Sequence, residues 1–202
     1  MQHGAGDLAH RVVVIYPQYG PAARSGNLAG QFRLDNVVDA LRVCARQMDV
    51  DRCAPAWSRF DTHAAARLLG KAAESEEVRA AFEKHEQETQ GHVERLEKVF
   101  EELNEAPKGK TCEAIMGIIE EGQEVMKEFK GKPALDAGLL AAAQAVEHYE
   151  ISRYGSLKTW AAELGLSQAA KLLDATLAEE KKTDATLTKI AEANVNHHAE
   201  AA

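Results

Sequence analysis

Seven side chains able to bind or neutralise a cation recur at helical spacing in the later part of the chain. His85, Glu88 and His92 follow one another at steps of three and four, Glu147 and Glu150 are three apart, and Glu180 and Asp184 are four apart. Residues three or four apart share one face of a helix, so each set can converge on one point. Each set also interrupts an apolar stripe. A carboxylate buried without a partner costs several kcal/mol, so such groups must be paired, protonated or bound to metal. Hard carboxylate oxygens mixed with imidazole nitrogens suit iron or manganese. One acidic residue at the margin of a stripe is ordinarily solvated or hydrogen-bonded. Seven on three helices point instead to a shared metal centre.

The elements that must position them read as helices. Glu76 to Asn104 is one amphipathic stretch with Ser75 as N-cap and Glu76 and Glu77 in the first turn. Phe82, His85, Thr89, His92, Leu96 and Val99 form its inward seam. Pro107 and Gly109 end it, and Thr111 starts a shorter helix to about Phe129. Gly131 and Pro133 break the chain again before a helix from Ala134 to Leu164. Its seam runs through Ala143, Val146, Glu147, Glu150, Tyr154 and Leu157. Gly165 stops it, and Ser167 caps a last helix to about Ala193 with a seam of Leu173, Leu177, Glu180, Asp184, Leu187 and Ile190. Short connections between long helices predict an antiparallel bundle. A shift of the chain by 91 residues lays Glu88 on Glu179, Leu96 on Leu187 and Val99 on Ile190, as two related helical hairpins would.

Composition narrows the function. A chain of 202 residues with a formal charge of −8 is a poor partner for nucleic acid or an anionic membrane surface. It carries no apolar run long enough to span a bilayer. Three cysteines, Cys44, Cys53 and Cys112, make neither a disulfide framework nor a zinc pattern, which fits a reducing cytoplasm. Gly109-Lys110-Thr111 lacks the earlier glycine and the preceding strand of a phosphate loop. Tyr149, Tyr154 and Trp160 read as packing groups, and His197 and His198 as a solvated tail. The first 70 residues contain no Lys and no Glu, whereas both dominate from Lys71 onward. That switch predicts an atypical segment over 1–57, poorly ordered or translated out of frame, then a bundle over 58–194 and a tail over 195–202.

The segments FEKHEQETQGHVERLEKVFEEL (Phe82–Leu103), GKTCEAIMGIIEEG (Gly109–Gly122), AAAQAVEHYEISRYGSL (Ala141–Leu157) and LAEEKKTDATLTKIA (Leu177–Ala191) resemble the YciE/YciF family of bacterial stress-associated proteins. The resemblance spans about 71–194. It implies an all-α, ferritin-like four-helix bundle with an extra short helix between its hairpins, a homodimer, and a di-iron role of ferroxidase type. By position it assigns metal to Glu88 and His92, to Glu147 and Glu150, and to Glu180 and Asp184, with His85 as ligand or partner. One departure stands out. The family's first-helix glutamate would fall near Arg59, within SRFDTHAAARLLG, where a guanidinium would repel a cation and only Asp61 or His63 is at hand. A thin helix over Ala64, Ala65, Ala66, Leu68 and Leu69 remains. The expectation is therefore a di-iron protein weakened at one ligand. The alternatives are a metal-poor structural or interaction dimer, and an inactive product of a disrupted gene.

Overall fold

The computed structural model describes Leu41, residues 62–107 and residues 112–200. The expectations for 1–57 and for Arg59, Asp61, Thr111 and the side chain of His63 lie outside the described residues. Leu41 is helical, and among the residues described after it six α-helices follow in order: α1 (Thr62–Ala72), α2 (Glu76–Glu102), α3 (Glu113–Glu128), α4 (Leu135–Glu163), α5 (Ser167–Ile190) and α6 (Asn196–Glu200), with a π turn at Ala191–Val195 before α6. The described residues hold no strand, so the all-α expectation holds.

Local signals set the helix ends. Ser75 is extended, and its hydroxyl accepts from the Val78 N–H. Gly165 takes φ +74°, donating to Ala162 while Leu166 donates to Ala161, the paired bonds that close a helix C-terminus. Asn104 does the same for α2 at φ 53°. Two starts differ from expectation by a residue. Leu166, not Ser167, precedes α5, and Cys112 precedes α3 without a side-chain cap. The last helix also outruns its expected end near Ala193. No Gly or Pro stops it there, and Val195, buried against Leu187 and Ile190, carries the path through the π turn to Glu200.

The hairpins α1–α2 and α4–α5 pair to make the bundle, with α2 against α5 and α1 against α4. α3 packs outside, mainly on α4. Small residues set that approach: a Cβ on Gly138 would lie 2.5 Å from Val125 Cγ1. α1 holds on through Ala65, Ala66 and Leu69, all buried, while Leu68 turns outward. Asp136, in the first turn of α4, accepts from the Glu74 and Ser75 N–H groups at 2.9 and 2.8 Å, tying α4 to the start of α2. Asp136→Ala is expected to cost about 1–2 kcal/mol, read as a lower urea midpoint with an unchanged slope.

The core is layered. One apolar cluster, with Leu96, Phe100, Leu157 and Leu173, fills one end. Another, with Val78, Phe82, Leu139 and Leu187, fills the other. Between them lies a layer of buried polar groups, and every carboxylate or imidazole buried among the described residues belongs to it.

Candidate metal centre

Three helices build the polar layer. α2 contributes His85, Thr89 and His92, α4 contributes Glu147 and Glu150, and α5 contributes Thr176, Glu180 and Thr183. One ligand atom from each of His85, Glu147, Glu150 and Glu180 can be chosen so that all four lie within 4.8 Å of one another. The apolar seams force this convergence, because burying Phe82, Leu96, Val146, Leu177 and Leu187 leaves these polar groups facing one another.

The layer carries an internal division of charge. His85 Nε2 lies 3.1 Å from Glu147 Oε1. Burial drives the Glu147 carboxyl well above the usual carboxylate range, and the nearby Glu180 and Glu150 carboxylates push it the same way. Burial also lowers the His85 pKa, a shift that the Glu180 carboxylate only partly offsets. Both directions favour a neutral pair, Glu147 as the carboxylic acid beside an uncharged imidazole.

His92 is the cationic half. Burial alone would lower its pKa, but contacts with Glu180 and Glu179 outweigh it and raise the value. Its Nε2 lies 2.9 Å from Glu179 Oε2, and its Nδ1 3.0 Å from Glu180 Oε1. Desolvation opposes ionisation of Glu180, yet His92 and then His85 hold its carboxyl below the ordinary value. Arg95 grips Glu179 through both guanidinium nitrogens at 2.7–2.8 Å and donates to Thr176 at 3.0 Å. Tyr154 packs edge-on to His92, with centroids 6.2 Å apart. A charged chain thus runs from the bundle margin at Arg95 through Glu179 and His92 to Glu180.

The donor set fits a hard or borderline metal ion. Glu147 Oε2 and both Glu180 oxygens are buried with no hydrogen-bond partner, and the 3.0 Å approach of His92 to Glu180 is an ion-pair distance without hydrogen-bond geometry. Orphaned buried oxygens are costly and rare in proteins, and a cation satisfies them directly. Carboxylates with imidazole suit iron or manganese.

Of the seven expected ligands, His85, Glu147, Glu150 and Glu180 come together, and His92 joins through Glu180. Glu88 and Asp184 stand apart. Glu88 is half-buried and paired with Lys84 at 2.8 Å. Asp184 accepts from Gln144 at 3.0 Å and lies 3.1 Å from His148. Thr89 and Thr183 hold the inward places beside them. The Thr89 hydroxyl donates to the His85 carbonyl at 3.0 Å, and the Thr183 hydroxyl lies 3.5 Å from His85 Nδ1. Sequence reasoning missed Glu179 and Arg95. The only sign of Glu179 was its alignment with Glu88 in the repeat.

Residues 61–200 match DUF892, described as a domain of unknown function. The chain belongs to the DUF892 family. It is 48% identical to Protein YciF of Escherichia coli K12 over 133 residues, which are 65% of this chain and 80% of that protein. The crystal structure of the E. coli stress protein YciF superposes with a TM-score of 0.69 and 39% identity, covering 81% of this chain and 97% of that one. YcfI from Rhodopseudomonas palustris, described as a proposed structural protein, superposes with a TM-score of 0.68 and 36% identity, over 75% of this chain and 92% of its own. The YciF-like family expected from the sequence is therefore the one found, and the helical bundle is shared with its solved members. No helix among the described residues is long and apolar enough to cross a membrane.

Proposed function

We propose that this chain is a ferritin-like, di-iron protein of the bacterial stress response, binding Fe(II) in the polar layer and oxidising it. The observation that carries the reading is the trio of buried oxygens without a hydrogen bond on Glu147 and Glu180 beside two imidazoles. Glu147, Glu150 and Glu180 supply the oxygen donors, and His85 and His92 the nitrogens. Iron is here substrate as well as ligand. Two Fe(II) and one dioxygen with two protons give two Fe(III) and hydrogen peroxide; with hydrogen peroxide as oxidant and two protons, the products are two Fe(III) and two waters. His92 and Glu147 hold protons that binding must displace, and Glu179 offers His92 an outlet toward the bundle margin. Manganese suits the same donors. A homodimer in a reducing cytoplasm completes the reading, in keeping with the acidic charge and the free, buried Cys112.

The test is elemental analysis after anaerobic Fe(II) loading, with Glu150→Ala alongside. The expected result is about two irons per chain in the natural sequence and fewer than about one in the variant. Equal, low iron in both would sink the reading.

A second reading has its own support. Without metal, His92 already neutralises Glu180, and Glu147 pairs with a neutral His85, so the layer is electrostatically tolerable as it stands. A structural dimer needs no more. It predicts that Glu150→Ala changes stability and leaves metal content unaltered.

A further inference from the structure

Three sides of the centre carry ligand-bearing helices. The fourth is α1, whose described inward residues are Ala65, Ala66 and Leu69. No acid, imidazole or thiol on a described side chain of α1 reaches the cluster. Alanine, in positions where a bundle helix normally carries a larger apolar residue, leaves space. A cavity of about 20 Å³ lies against Ala65, Ala66 and Phe82 and ends on His85 and Glu147. A second, also of about 20 Å³, lies between α1, α3 and α4 against Leu68, Ile118 and Met126. The two share Ala65, Leu69 and Val146 as a common wall. Leu68, 38% exposed, lines the outer one. Together they lie along the described part of α1, from the partly exposed Leu68 to His85 and Glu147.

The lining says what can use these cavities. Each cavity has room for about one water-sized molecule, but a buried water needs two or more polar partners. Among the described residues, Gln123 is the only polar side chain lining the outer cavity. A hydrogen-bonding oxidant such as hydrogen peroxide would be stripped of its partners there. A small, uncharged, apolar molecule loses nothing by entering.

We infer that the paired cavities are a binding and entry site for dioxygen on the α1 side of the centre, an inference that rests on the metal reading above. The small, apolar face that Ala65 and Ala66 give α1 then has a use, because it leaves the centre approachable by the oxidant. Ala65 borders both cavities and is the smallest of the three residues they share, so enlarging it fills both.

Two measurements test this. Crystals of the full chain pressurised with xenon, an apolar atom of suitable size, should show it beside Ala65 and Val146, and Ala65→Leu should exclude it. Protein loaded with Fe(II) without oxygen is then mixed with dissolved dioxygen or with hydrogen peroxide. In Ala65→Leu the iron bound should be unchanged. The dioxygen-driven rate should fall about tenfold, equivalent to ~1.4 kcal/mol on entry, while the peroxide-driven rate stays within about twofold. Ile118→Phe, at the half-buried outer wall, gives the same comparison should the first variant fold poorly. Absence of xenon from the natural sequence, or equal effects on both oxidants, overturns the inference. Failure to bind Fe(II) at all, read before any oxidant is added, would instead remove the metal reading and the oxidant site with it.

Discussion

Glu147→Gln should leave the metal-free protein about as stable as before and remove most of its iron. The reason is the protonation state. Burial and two neighbouring carboxylates hold Glu147 as the neutral acid, and an amide has nearly the same shape and neutral charge. The variant amide keeps a neutral polar group at the place 3.1 Å from His85 Nε2. The expected change in apo stability is within about 1 kcal/mol, the range of a tolerated, satisfied substitution. Metal is another matter. An amide offers one weaker oxygen in place of a carboxylate that can ionise and bridge, so affinity should fall by at least about 100-fold, more than the loss of an outer partner costs. Differential scanning fluorimetry displays both effects. Metal at 100 times its dissociation constant stabilises a protein by about 2.7 kcal/mol, and that increment should vanish in the variant. Loss of several kcal/mol in the apo protein with iron uptake intact would mean that the carboxyl is there for the fold alone.

The contrast between Glu147 and Glu88 shows how far the sequence could be read. On α2 the stripe from Phe82 to Val99 is long and regular, and every expected seam residue is buried. The same holds on α4, where Glu147 and Glu150 sit inward as their apolar neighbours require. Ambiguity enters where a seam steps through two adjacent polar residues. After His85, helix geometry allows either Glu88 or Thr89 to face the core, and after Glu180 either Thr183 or Asp184. The threonines win both places. Each is small enough to fill an inward position while its hydroxyl reaches His85, whereas Glu88 and Asp184 find partners at the margin in Lys84, Gln144 and His148. Tertiary packing decides such a choice, and spacing alone does not encode it. The Arg95–Glu179–His92 chain was hidden for a related reason. It joins α2 to α5 across residues 84 and 87 positions apart, a separation at which no local pattern operates. The thin α1 stripe was legible in Ala65, Ala66 and Leu69; that it borders a cavity at the centre was not.

Metal should also reverse the sign of the pH dependence of stability above neutrality. In the metal-free protein, His92 has a pKa raised above its unfolded value of 6.5, and Glu147 one raised well above 4.5. Groups raised in this way bind protons more tightly when folded, so their stabilisation is complete below the unfolded pKa and is lost as pH climbs through the folded one. His85 and Glu180 are shifted the other way, and their contributions are already complete above pH 6.5 and 4.5 respectively. Above pH 6.5, therefore, the two raised groups still change, and both make the apo protein less stable as they deprotonate. Metal ligands must be deprotonated to bind, so loading expels the same protons and affinity rises with pH. Manganese(II) is the practical probe, because it resists air oxidation better than iron near neutrality. The apo melting temperature should decline above pH 6.5, while the increment produced by a fixed manganese concentration should grow. Glu147→Gln removes one of the two raised groups, so its apo decline should be shallower and its manganese increment small at every pH. Parallel curves for the apo and manganese-treated protein would show that the buried carboxylates and imidazoles titrate without regard to metal, leaving the neutral His85–Glu147 pair and the His92–Glu180 ion pair as fixtures of the fold.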